Sequence, residues 1–185
     1  MEKAIKEAGT PNENHKKLQP FTGVWTANVK CFQEGDKPQE STATATSQMI
    51  FGGKFLHTKV NGTMFNEPFQ GVGTIGYNNL NQKFEYTWID SAGTATYCST
   101  GSADSEGKVL TFRGEMIDPV SKEKLRTREV WRLISPTRYT IEAYSTGADG
   151  KETRMMEITL NKTGDAKEMI EDQGRKLMDG MKGNN

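Results

Sequence analysis

The sequence predicts an all-β chain closed into one antiparallel barrel of about ten strands, with a short closing helix before it and a second helix after it. Three observations predict this. Between Val24 and Lys162, extended segments alternate with turn signals at intervals of about 8–15 residues, the spacing of a meandering all-β domain. Several segments carry both charge and apolar bulk on each face, which suits a barrel with a partly polar interior rather than a flat sheet over one dry core. Apolar residues make up 34% of the chain, and its 19 glycines raise that only to roughly 44%, slightly under the usual globular share. A thin β wall fits that shortage better than a thick helical core. With 185 residues, one core is expected.

The segments run over residues 24–32, 42–51, 54–61, 69–77, 83–90, 94–102, 108–117, 124–134, 138–146 and 152–162. Between them lie EGDKP, FGGK, NGT, NNLNQ, DSAGT, DSEGK, DPVSKEK, SPT and GADGK, whose Gly, Asn, Asp and Pro supply the positive or fixed φ that tight turns require. In the first segment Trp25, Ala27, Val29 and Cys31 share one face, and Thr26, Asn28 and Lys30 the other. KFEYTWID sets Phe84, Tyr86, Trp88 and Asp90 against Glu85, Thr87 and Ile89. TREVWRL sets Arg128, Val130 and Arg132 against Glu129, Trp131 and Leu133. GVGTIG, from Gly71 to Gly76, has the glycines of a phosphate loop, but no Lys-Ser/Thr follows and no helix begins there. It reads as a strand whose glycines allow bending and close approach.

The ends are helical. In LQPFTGVW a short turn covers the barrel's end, Gly23 lets the chain swing into the first strand, and the Trp25 indole plugs the base, so Gly23 and Trp25 read as structural. After the last strand, Asp165 is the expected N-cap, with Glu168 three residues on and Met169, Ile170, Gln173, Leu177 and Met181 in one stripe. Gly174 and Gly180 weaken that helix by about 1 kcal/mol each relative to alanine. The chain thus divides into a closing segment (1–23), a barrel (24–162) and a C-terminal helix or tail (163–185).

Lys and Arg number 24, as do Asp and Glu, so no long-range field draws the chain to nucleic acid or anionic lipid. No apolar run is long enough for a membrane helix and the N-terminus lacks an apolar signal core, so a cytoplasmic protein is expected. Cys31 and Cys98 lie far apart without a CxxC and read as unpaired. Two histidines, His15 and His57, cannot assemble a His-rich metal site, and no nucleophile motif or cofactor fingerprint occurs. Neither a metal nor a cofactor is expected.

The blocks PNENHKKLQPFTGVW, FGGKFLHTKVNG, EPFQGVGTIGYNNLNQKFEYTWIDSAGT, TGSADSEGKVLTFRGEMIDPVSKEKLRTREVWRL and DGKETRMMEITLNK follow one another from Pro11 to Lys162. In that order they resemble a bacterial family, domain of unknown function 1579. That family is similar to the calycins, which include the lipocalins and fatty-acid-binding proteins. The resemblance implies a closed barrel with a cavity and no agreed activity. The family pattern favours an aromatic and an arginine where this chain has Leu160 and Lys162. If a cation stacks on Trp25, as the lipocalin analogy implies, Lys162 supplies it less well than arginine, and Arg154 is the alternative.

The expected function is the binding of a small, partly apolar molecule in the barrel, with His57, Tyr86, Trp88, Arg128 and Glu157 as ligand-binding residues. Tyr86 and Trp88 form the densest aromatic edge, with Asp90 at the strand end. His57 resembles the axial ligand of a nitrobindin-type haem barrel, but no second feature of that pattern accompanies it, so a hydrogen bond within the wall is expected. Among Asp90, Glu115, Glu129, Glu142 and Glu157, with Arg113, Arg126, Arg128 and Arg154 as partners, Glu157 stands out because it follows Met155 and Met156 in an apolar strand. Two alternatives are a homodimerising module joined through the Met-rich C-terminal helix around a filled barrel, and an acid–base enzyme with Glu157 as its base.

Overall fold

The computed structural model describes residues 1–32 and 37–165. Two short helices, α1 (Glu2–Ala8) and α2 (Glu13–Lys16), and a 3-10 turn over Gln19–Phe21 precede the strands. The strands are β1 (Gly23–Cys31), β2 (Gln39–Ile50), β3 (Phe55–Met64), β4 (Glu67–Asn78), β5 (Lys83–Asp90), β6 (Tyr97–Ala103), β7 (Val109–Ile117), β8 (Lys124–Ser135), β9 (Arg138–Thr146) and β10 (Glu152–Gly164). Each pairs antiparallel with the next, and β10 returns to β1, so the sheet closes into a barrel with no free edge. The expected barrel is present. The C-terminal helix expected from Asp165 lies outside the described residues. Among the described residues, no helix is long and apolar enough to cross a membrane.

One turn signal misleads. Asn61-Gly62 reads as a hairpin turn, yet β3 runs through it to Met64, and Phe65 (φ 52°) and Asn66 (φ 66°) make the turn. Gly62 serves the wall instead. A Cβ there would lie 2.5 Å from the Ala43 Cβ and 2.7 Å from the Thr42 carbonyl oxygen of the paired strand. At Gly23 both demands meet, because φ is +138° and a Cβ would fall 2.6 Å from the Lys162 side chain. The chain enters the barrel there because glycine alone fits.

The N-terminal segment plugs the end at which β1 begins. Leu18, Phe21 and Trp25 are fully buried with Tyr139. The Trp25 and Tyr139 rings meet edge to face at 4.7 Å, Phe21 meets Tyr139 at 5.2 Å, and Trp131 stacks on Tyr139 at 6.0 Å. Trp25 Nε1 donates to the Phe21 carbonyl at 3.1 Å, which satisfies the one polar atom that this indole buries. His15 is buried behind the plug, where its Nδ1 accepts from the Asn12 backbone N–H at 3.0 Å and its ring meets Tyr77 edge-on. Lys162 Nζ stands 5.9 Å from the Trp25 ring, while Arg154, the expected alternative, lies over Phe32 at 4.4 Å. The lysine occupies the place by Trp25, and the arginine does not replace it.

Trp25→Ala should therefore lower unfolding stability by about 3–5 kcal/mol, measured by denaturant titration. A loss below about 1 kcal/mol would show that the indole is not holding this end closed.

Candidate functional site

Closure decides which face of each strand is inside. Around the plug the inward residues are buried, among them Leu56, Ile75, Phe84, Leu110, Phe112 and Leu160. Toward the other end, inward residues of the same strands keep solvent contact: Val29, Val60, Trp88, Tyr97, Glu129 and Ile158 are each partly exposed. The barrel thus has a packed half and an accessible half. The accessible half faces the β3–β4, β5–β6, β7–β8 and β9–β10 connections. A solvent-open hollow of about 330 Å³ lies along β7 and β8, lined by Gly114 and Thr127 of the inward face and by Arg113, Glu115 and Arg126 of the outer one; Trp88, Tyr97 and Glu129 do not line it. A smaller one of about 70 Å³ lies by Cys31, Ser41 and Met64.

Glycines on one strand seat a large aromatic from the next. The Trp88 indole lies flat against Gly71 and Gly73 of the neighbouring strand. A Cβ at Gly71 would overlap the indole Cζ2, and one at Gly73 would sit 3.0 Å from its Cε3. Phe69 stacks on the same ring at 6.5 Å with 20° between the planes. Trp88 Nε1 donates to Asp90 Oδ2 at 2.7 Å, which fixes the indole's rotation. The glycines of GVGTIG are thus a seat for a tryptophan.

Deeper on the same wall is a polar cluster. The Glu129 carboxylate has no cation within salt-bridge reach among the described residues. Trp131 Nε1 donates to its Oε2 at 3.3 Å, and the Tyr97 phenol lies beside it. Burial lifts the Glu129 pKa above the usual carboxylate value, against the two donors, which favour the charged form. Tyr97 also bonds the Thr127 hydroxyl at 2.8 Å, and Gly114 leaves room for that phenol, since a Cβ there would lie 3.1 Å from its oxygen. The Ser99 hydroxyl is buried without a hydrogen-bond partner. Tyr86 backs the cluster, with its ring 6.0 Å from Tyr97 and 5.8 Å from Trp131, and burial raises its phenol pKa well above the ordinary value, helped by the Glu129 charge. A carboxyl group in this setting can donate a proton to an acceptor or, ionised, receive a cation.

Of the five residues expected to meet a ligand, Tyr86 and Trp88 face inward. The other three stand on the outer wall. His57 is one residue past the inward Leu56, and its Nδ1 lies 3.4 Å from Thr74 Oγ1, a contact within the wall. Arg128 makes a two-pronged pair with Glu152, at 2.8 and 2.7 Å, and lies over Tyr144. Glu157 pairs across the sheet with Lys30 and Glu142 and accepts from Arg154 at 2.9 Å. Glu129 is one of the five candidate acids of the sequence, where Glu157 stands out instead, and Tyr97, Ser99 and Thr127 are not among the sequence's candidates. Their signal was alternation: Glu129 shares a face with Trp131 and Leu133, whereas Arg128 does not.

The pKa direction gives a test. A carboxyl whose folded pKa exceeds its unfolded value of about 4.5 adds stability below that value and loses it as pH rises through the folded pKa. Glu129→Gln should accordingly melt higher than the native protein at pH 8, with the gap closing toward pH of about 4. A gap independent of pH would contradict the placement of this carboxyl in a desolvated wall.

The fold recurs in solved structures. Rv2717c from M. tuberculosis superposes with a TM-score of 0.62 at 12% identity, covering 83% of this chain and 99% of that one. The S-type phycobiliprotein lyase CPES from Guillardia theta superposes with a TM-score of 0.54 at 10% identity, covering 84% of this chain and 99% of that one. At such identities the likeness is one of fold. No curated protein sequence matches the chain significantly. Residues 10–162, which hold the plug, the Trp88 seat and the Glu129 cluster, match the family described as protein of unknown function DUF1579, and the chain belongs to that family.

Proposed function

We propose that this protein binds a small, partly apolar molecule in the accessible half of its barrel. The observation that carries the reading is the row of inward side chains that are apolar or aromatic and still solvent-exposed, with a polar cluster at their base. Ala143, inward and partly exposed beside Glu129, is smaller than a chain selected only to fill its barrel would place there. Likeness in fold to a phycobiliprotein lyase supports such a use of a barrel of this kind. On this reading the contacts are Trp88, Tyr97 and Glu129, backed by Tyr86, while His57, Arg128 and Glu157 belong to the outer wall. The reading needs no turnover, since Glu157, the base of the acid–base alternative, is engaged by Arg154 outside the chamber.

Ala143 is the inward neighbour of Glu129 in the sheet register and is partly exposed. Ala143→Phe should block the chamber with little change in melting temperature. Native protein should enhance and blue-shift the emission of the neutral dye Nile red, and the variant should lose at least about tenfold in affinity, or roughly 1.4 kcal/mol. Equal dye binding by both proteins would place the dye elsewhere and remove the support for an interior site.

A further inference from the structure

We infer that the ligand carries a cationic nitrogen head, such as a protonated amine or a quaternary ammonium on an apolar body, and that this head sits against Glu129 beside Trp88 and Tyr97. The inference rests on the chamber being a binding site, as proposed above, and adds the chemistry of what enters it. Charge is the first argument. Among the described residues, the inward strand positions of the accessible half carry the carboxylates of Glu67 at the rim, Asp90 and Glu129, and no lysine or arginine. The inward ammonium, Lys162, is at the plugged end, over Trp25 and paired with Asp165. Arg128, Arg132 and Arg154 stand at outward positions and hold Glu152, Glu142 and Glu157, while Arg113 and Arg126, also at outward positions, flank the hollow along β7 and β8. A carboxylate enclosed without a counter-ion is unfavourable, and the fold supplies none, so a cation from solution completes the site. An anionic head placed against Glu129 would meet a like charge there.

The walls fit the same head. Trp88, seated on Gly71 and Gly73 with Phe69 beside it, and Tyr97 on the adjacent strand are both partly exposed, and they supply aromatic surface next to the carboxylate. The partnerless Ser99 hydroxyl and the Thr127 hydroxyl add acceptors for ammonium protons. Val29, Val60 and Ile158 line the path toward the mouth and would hold an apolar tail.

Proton linkage follows. A permanently charged ligand requires the ionised form of Glu129, so binding drives off the proton that burial favours, and affinity rises with pH through the titration of this group. The titratable groups facing it are Tyr86 and Asp90 on β5 and Tyr97 on β6. The inward positions around it on β7 and β9, including Phe112, Gly114 and Ala143, carry none.

Three probes with one tail separate the possibilities: decyltrimethylammonium, decanol and decyl sulfonate, each measured by displacement of Nile red from native protein and from Glu129→Gln. The cation should bind about tenfold or more tightly than decanol, and the sulfonate more weakly than either. Glu129→Gln should abolish the cation's advantage over decanol and its pH dependence. Equal binding of all three heads, preference for the sulfonate, or a preference that survives in Glu129→Gln would overturn the cation inference and leave the chamber reading intact. Failure of Nile red and all three probes to bind would overturn both.

Discussion

Everything in this structure depends on the packing of Phe21 and Trp25 against Tyr139 at one end of the barrel. A closed sheet of ten strands encloses more space than a small barrel whose inward side chains fill it. The chain resolves this by inserting residues from outside the sheet, Leu18 and Phe21, into one half only. That half becomes the hydrophobic core. The other half receives no inserted residue among those described, and its strands carry glycine, serine and alanine at inward positions. The division into core and chamber is thus set by where the N-terminal segment docks, and Gly23 is the hinge that lets it dock.

With stability lodged at one end, the opposite end can tolerate groups that a dry core would reject. Glu129 sits between two hydrogen-bond donors and no cation, Ser99 lacks a partner, and the Tyr86 phenol is deeply buried. Each of these burials costs free energy. Their grouping on neighbouring strands, within reach of the tryptophan seated on Gly71 and Gly73, gives the wall one polar end and one apolar lining. That asymmetry is what the proposed recognition of a molecule with a polar head and an apolar body rests on.

Much of the fold was legible in the sequence because turn chemistry and period-two alternation are local. All ten strands lie near where those signals placed them, and the faces of β1, β5 and β8 were correctly separated. Asn61-Gly62 misled because glycine has two uses, and the close approach of Ala43 that demands it is visible only after β2 and β3 pair. The site was harder to read. Alternation sorts residues into two faces without saying which is inside, and on a segment such as TREVWRL both faces carry charge. Closure places Glu129 inside and Arg128 outside, and the bulge between Arg154 and Met156 affects how β10 is read. The apolar neighbours Met155 and Met156 point to Glu157 as the buried acid, but it faces outward beside Arg154.

The most direct test of this account is the titration of the Glu129 carboxyl itself. Its 13C resonance in labelled protein is identified by its disappearance in Glu129→Gln. In the empty protein it should titrate above the ordinary carboxylate value, and addition of decyltrimethylammonium should bring its titration back down. An ordinary titration that the added cation leaves unmoved would contradict the claim that this barrel keeps an uncompensated carboxylate to meet its ligand.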